Sequence, residues 1–267
     1  TGGTIGMRQN EKGKLAPMDF ESAVEKIPAL GLLPIEIQTV SLKNVIDSSE
    51  MMPQVWKELA EVVDKLMPEV DGIVILHGTD TMAYTACALS FMLQGLRKPI
   101  IITGSQLPIG VLRTDAVENI VSAFEFAALA DKNGDSVIQE VAIYFEYELL
   151  RGNRAYKRSS NEFNAFSSPN FPPLAISGVR LSVNKELLWR SKESYCLDTR
   201  LSNNIGVVTL YPGLDFSELP ALTNWKVLLL RTFGAGNAPK CDDFLNHRTP
   251  QCRLSSFSLS DISSRTF

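Results

Sequence analysis

Gly72-Ile-Val-Ile-Leu-His77-Gly78-Thr79-Asp80-Thr81 is the stretch that decides the fold of this chain. Its four aliphatic residues, Ile73 to Leu76, predict a strand buried on both faces, as in a parallel sheet covered by helices. Gly78 marks a sharp turn, and the apolar run from Met82 to Leu93 predicts a helix with Thr79, Asp80 and Thr81 at its start. Hydroxyls, a carboxylate and free backbone N–H groups then meet at a strand's carboxyl end. Ligands bind at that edge of open α/β sheets, because the loops are free to vary there while the sheet holds them still. The plain alternative is that these polar residues only cap the helix, since Thr and Asp are preferred N-caps.

The pattern extends in both directions from this unit. After it come a second apolar strand, Pro99-Ile-Ile-Ile-Thr103, a loop from Gly104 to Leu112 and a helix from about Asp115 to Ala130. A turn at Asp131-Lys-Asn-Gly-Asp135, a strand from Val137 to Phe145 and the polar loop Gly152-Asn-Arg-Ala-Tyr-Lys157 follow. Before it, Thr1-Gly-Gly-Thr-Ile-Gly6 reads as a turn that lets backbone approach a ligand; no Gly-Lys-Ser/Thr follows, so it is not a P-loop. Met7 to Met18 is a polar segment of the kind that forms lids. Asp19 to Ile27 predicts a short amphipathic helix, and Ile35 to Val40 alternates as a strand does. Past Asp47-Ser48-Ser49, Pro53 opens a helix with Val55, Leu59, Val62, Val63 and Leu66 on one face. This alternation of strand and helix predicts the α/β class, a doubly wound, mostly parallel sheet.

The pattern weakens from Ser159 to Asn204, and a new unit begins with the strands Ile205 to Tyr211 and Lys226 to Thr232. Leu254 to Phe267 holds six serines and no period. The expected division is a catalytic domain at 1–190, a linker at 191–204, a partial second α/β domain at 205–240 and a divergent, disordered tail at 241–267.

With 267 residues, 45% apolar and 21% charged, the chain has the composition of a soluble globular protein. A net charge of −4 gives no reason to expect nucleic acid as a partner. No run approaches the roughly 18 apolar residues of a membrane span, so no membrane partner is expected either. Cys87, Cys196, Cys241 and Cys252 lack CxxC spacing, and His77 and His247 are the only histidines. No zinc site is expected from them, and a reduced, cytoplasmic setting is.

The fold expectation brings Thr4, Asp47-Ser48-Ser49, Thr79-Asp80 and Lys157 to one rim of one sheet. That set suits nucleophilic hydrolysis. A threonine hydroxyl is a weak nucleophile that needs a neighbour to take its proton, and a lysine held near a carboxylate can tune a second hydroxyl. The N–H groups and hydroxyls of Asp47-Ser48-Ser49 suit a substrate carboxylate, and Asp80 suits a substrate ammonium. Both together fit an amino acid. The plain alternative for Lys157 is a solvated surface lysine.

Thr1-Gly-Gly-Thr-Ile-Gly6, Asp47-Ser-Ser49, His77-Gly-Thr-Asp-Thr-Met-Ala83, Thr103-Gly-Ser-Gln-Leu-Pro108 and Gly152-Asn-Arg-Ala-Tyr-Lys157 resemble, in this order, motifs of the bacterial-type L-asparaginases of the cytosolic type I group. The resemblance runs from Thr1 to about Lys240. It implies a larger doubly wound N-terminal domain, a smaller α/β C-terminal domain, and hydrolysis of L-asparagine to L-aspartate and ammonia with no cofactor and no metal. Thr4 is then the nucleophile that forms a β-aspartyl ester, Thr79, Asp80 and Lys157 are the second triad, and Asp47, Ser48, Ser49, Thr79 and Asp80 bind substrate. It further implies a homodimer or homotetramer with sites between subunits, modulated in many type I members by asparagine itself. This chain departs from the family at Lys14, where many relatives carry a lid tyrosine, and at Tyr156, where type I relatives commonly carry threonine. It also lacks the short strand that precedes the Thr-Gly-Gly-Thr motif and diverges after Lys240, so the chain made alone is expected to be inactive or poorly folded. Two other readings differ in mechanism: a hydrolase using the Thr1 amine as base, which calls for stacked antiparallel sheets, and a non-catalytic fragment that at most binds small amino acids or a full-length partner.

Overall fold

Ile100, Ile101 and Ile102 are fully buried, and they face two different helical layers. In the computed structural model Ile100 and Ile102 pack with Leu59, Val63, Met82, Ala86 and Leu89, whereas Ile101 packs with Ala123, Phe126 and Ala127. Successive strand residues point to opposite faces, so a fully apolar run needs a helix on each side. The structure describes residues 27–42, 46–215, 225–234 and 236–238 in full, and the backbone alone of 7–9, 15–17 and 253–257. The chain divides into two units, Thr1–Thr199 and Arg200–Phe267.

In the first unit β1 (Met7–Gln9) and β2 (Leu15–Pro17) pair antiparallel within the segment expected to form a lid. The helix expected at 19–27 lies outside the described residues but for Ile27. Then follow α1 (Pro53–Leu66), β3 (Ile73–Leu76), α2 (Met82–Met92), β4 (Leu93–Gln94), β5 (Ile100–Thr103), α3 (Ala116–Ala127) and β6 (Val141–Phe145). The chain turns straight back into β7 (Glu148–Arg151) and continues through β8 (Tyr156–Lys157), β9 (Phe166–Ser167), β10 (Ala175–Ser177), β11 (Leu181–Val183) and β12 (Cys196–Leu197). One six-stranded sheet has the order β11-β10-β7-β6-β5-β3. The β3–β5 and β5–β6 pairs are parallel, and β7, β10 and β11 extend the sheet antiparallel. The expected parallel, doubly wound core is therefore present on one side of a mixed sheet. Stacked antiparallel sheets, which the Thr1-amine reading calls for, are not what these strands form.

Three expectations need correction. Ile73 to Leu76 forms the strand, but only Ile75 is buried; the other three are half-buried, at the edge of the sheet among the described residues. Ile35 to Val40 is extended with alternating exposure, yet it carries no ladder in the described residues; its Ile37 packs beside Ile27 and Leu30. The weakly patterned stretch after Ser159 supplies β10 and β11 to the main sheet. Three-residue strands are too short to show a period. What holds this stretch is tertiary: Leu174 and Ala175 are buried in the core, and Glu140 takes the Arg151 guanidinium at 2.5 Å and the Trp189 N–H at 2.8 Å. Arg151 also donates to the Leu187 carbonyl at 2.6 Å and lies over the Phe171 ring.

The second unit contains β13 (Ile205–Thr209), β14 (Val227–Arg231) and β15 (Arg253–Phe257), parallel throughout with β14 central. The strand at Arg253–Phe257 falls inside the tail expected to lack structure. A ladder is made by main-chain groups, which a serine carries as well as a valine does. No helix among the described residues is long and apolar enough to cross a membrane.

Candidate active site

The parallel strands β3 and β5 end side by side, with Leu76 opposite Thr103, and the loops that leave them pack closely. A Cβ on Gly104 would stand 2.3 Å from the His77 carbonyl oxygen, so only glycine lets the second loop approach the first. The first loop carries Thr79 and Asp80, and α2 begins only at Met82, with no side-chain cap on its N-terminus. Capping is therefore not what these residues do. Thr81 donates its hydroxyl to the Ser48 carbonyl at 2.6 Å instead, which ties the loop holding Asp47, Ser48 and Ser49 to the loop holding Thr79 and Asp80.

Lys157 enters from β8, a two-stranded ladder with β9 rather than the loop expected there. Its Nζ lies 2.8 Å from Thr79 Oγ1 and 2.7 Å from Asp80 Oδ1. The lysine side chain is 16% exposed, against 62% for Asp80. It is not a solvated surface lysine: its stem is covered and its charge is spent on one hydroxyl and one carboxylate. Thr79 is itself buried. In the neighbouring loop Asp47 Oδ1 accepts the Ser49 N–H at 2.9 Å and the Ser49 hydroxyl at 3.0 Å, bonds that hold the Asp47 carboxyl below its ordinary range. Thr4 and Lys14 lie outside the described residues.

Gln106 was not among the expected site residues, though Thr103-Gly-Ser-Gln-Leu-Pro108 was noted as a motif. Its Oε1 stands 3.4 Å from Thr79 Oγ1, and its Nε2 donates to the Glu162 carbonyl at 2.9 Å. The signal available in sequence was position: the loop after one parallel strand meets the loop after its neighbour. His77, weighed only as a metal ligand, is a buried structural residue. Its Nδ1 lies 2.7 Å from the Gly78 carbonyl, which can only accept, so Nδ1 carries the proton and donates. Nε2 then accepts the Thr85 hydroxyl at 2.8 Å, and Thr85 in turn accepts the Trp56 indole N–H at 2.9 Å.

Burial pushes the His77 imidazole from an ordinary 6.5 to about 4. The unfolded chain thus binds a proton in that interval that the folded chain excludes. The stability that follows is fully present above pH 6.5 and is lost as the pH falls toward about 4. Urea unfolding between these values should show wild type losing up to about 3 kcal/mol more than His77→Gln, which has no imidazole to charge. Parallel pH profiles for the two proteins would refute this.

A sequence model of the family described as "Asparaginase, N-terminal" matches residues 1–189. The chain belongs to the asparaginase family. It is 39% identical over 254 residues to L-asparaginase 1 of Escherichia coli, covering 92% of this chain and 72% of that enzyme. It is also 35% identical over 272 residues to the 60 kDa lysophospholipase of Mus musculus, covering 92% of this chain and 47% of that protein. Among solved structures, L-asparaginase I of Vibrio cholerae superposes with a TM-score of 0.79 at 36% identity, over 92% of this chain and 74% of that one.

Proposed function

We propose that this asparaginase-family chain hydrolyses L-asparagine to L-aspartate and ammonia, with Thr79, Asp80 and Lys157 as a proton-handling set and Thr4 as the nucleophile. The Thr4 hydroxyl attacks the side-chain amide carbon, ammonia leaves, and water cleaves the resulting β-aspartyl ester to give aspartate and free Thr4. One observation carries the reading: the Lys157 amino group bridges the Thr79 hydroxyl and the Asp80 carboxylate at 2.8 and 2.7 Å. Asp80 holds the lysine, and the lysine tunes the hydroxyl that meets the reacting group.

Asp80, exposed on its outer side, also suits the substrate ammonium, and the Thr81–Ser48 bond ties its loop to the one holding Asp47, Ser48 and Ser49, whose groups suit the substrate carboxylate. The substrate is a small amino acid, and the enzyme works in the cytoplasm as a homodimer or homotetramer; similarity to the enzymes named L-asparaginase 1 and L-asparaginase I supports this. Ammonia release from asparagine and from glutamine, measured beside calorimetric titration with each, is the test. Ammonia from asparagine is expected, and heat of binding without any ammonia would show a binding protein instead.

A further inference from the structure

The hydrogen bonds around Thr79 leave little choice about where its proton points. Lys157, paired with the Asp80 carboxylate, gives protons to both partners, so it donates to Thr79 Oγ1. The Thr79 proton must then go to a different acceptor, and Gln106 Oε1 stands at 3.4 Å. The orientation of that amide follows from chemistry. Gln106 Nε2 faces the Glu162 carbonyl at 2.9 Å, a contact only the NH₂ end can make, which turns the oxygen toward Thr79.

The backbone under Gln106 is equally constrained. The buried Asp115 carboxylate accepts the Gln106 N–H at 2.9 Å and the Leu107 N–H at 3.1 Å. Asn119, fully buried on α3, donates to Asp115 at 3.2 Å and to the Gly104 carbonyl at 3.0 Å, and accepts the Glu146 N–H at 3.0 Å. Asp115 thus spends its carboxylate on the loop that carries Gln106, not on capping α3.

We propose that Gln106 is a positioning residue for the hydrolysis described above: its Oε1 accepts the hydrogen bond of the Thr79 hydroxyl and so aims the remaining Thr79 lone pair. A hydroxyl has one proton and two lone pairs. Lys157 donates to one pair and the hydroxyl donates its own hydrogen to Gln106, so the free pair is directed away from both. That pair accepts the hydrogen bond of the attacking water or hydroxyl and orients it. The inference rests on the asparaginase reading. It assigns to the loop after β5 a task separate from substrate binding, performed entirely through Thr79.

Two variants separate this from a scaffold role. Gln106→Met keeps the length of the side chain and removes the acceptor, whereas Gln106→Glu keeps an acceptor oxygen and loses the bond to the Glu162 carbonyl. Ammonia release should show kcat for Gln106→Met reduced roughly tenfold, the worth of one hydrogen bond, with KM within about threefold. Gln106→Glu should recover most of the loss. Three-bond couplings to the Thr79 methyl by NMR should report one side-chain rotamer in wild type and in Gln106→Glu, and averaging in Gln106→Met. A Gln106→Met chain with wild-type kcat, a Gln106→Glu chain as slow as it, or an unchanged Thr79 rotamer across all three overturns the proposal. Should wild type release no ammonia, the asparaginase reading falls on that result, and the Thr79 rotamer alone decides whether Gln106 holds the hydroxyl.

Discussion

Lys157→Met should lower the turnover of asparagine about a thousandfold while changing aspartate affinity only a few-fold, the pattern of a group that acts in the transition state more than in the ground state. Methionine fills the same covered channel, so the β8–β9 ladder should stand. What disappears is the cation between Thr79 Oγ1 and Asp80 Oδ1. Asp80→Ala should differ in kind, raising KM as well as lowering kcat, because the carboxylate anchors the lysine and, in the proposed reading, its exposed side meets the substrate ammonium. Steady-state ammonia release and calorimetric titration with aspartate on both variants decide the matter. Equal, mild effects from the two changes would leave Lys157 a structural tether between Thr79 and Asp80 and not a group that acts in the reaction.

The second large effect concerns the other end of the proposed reaction. Thr4→Ala removes the hydroxyl that would form the β-aspartyl ester and should cost at least about three orders of magnitude in rate, as loss of an activated nucleophile does. Binding should largely survive, since alanine deletes only the attacking oxygen and a methyl group. Trapping with radiolabelled asparagine should find label on the peptide containing Thr4 in wild type and none in Thr4→Ala. Near-normal ammonia release from the variant would sink the assignment. The proposed role of Thr4 rests on Thr1-Gly-Gly-Thr4 and the family resemblance, and this experiment tests it directly.

Much of the first unit was legible in the chain. Ile73 to Leu76 and Ile100 to Thr103 are short aliphatic runs with turn residues at their ends, and such runs become parallel strands because each face must be covered by a helix. Pro53 opens α1 as its fixed φ predicts, and Leu59 and Val63 lie on the buried face. Less legible was everything held by contacts distant in sequence. β10 and β11 have three residues each, so what keeps them in the sheet is burial of Leu174 and Ala175 and the nearby Glu140–Arg151 clamp. That only Ile75 of β3 is buried is a tertiary outcome, which no window of its own sequence contains.

The candidate site divides in the same way. Sequence alone determined which residue types were available and that strand ends would carry them: a hydroxyl and carboxylate after β3, a loop after β5, and a lysine 77 residues beyond Asp80. Only the tertiary structure decided that Lys157 would reach both Thr79 and Asp80, that Thr81 would bond Ser48 rather than cap α2, and that Gln106 would face Thr79. The physical reason is that hydrogen bonds are short and directional, so partners are settled by where the sheet sets its loops in space, whereas apolar periodicity is a local record of which face is covered.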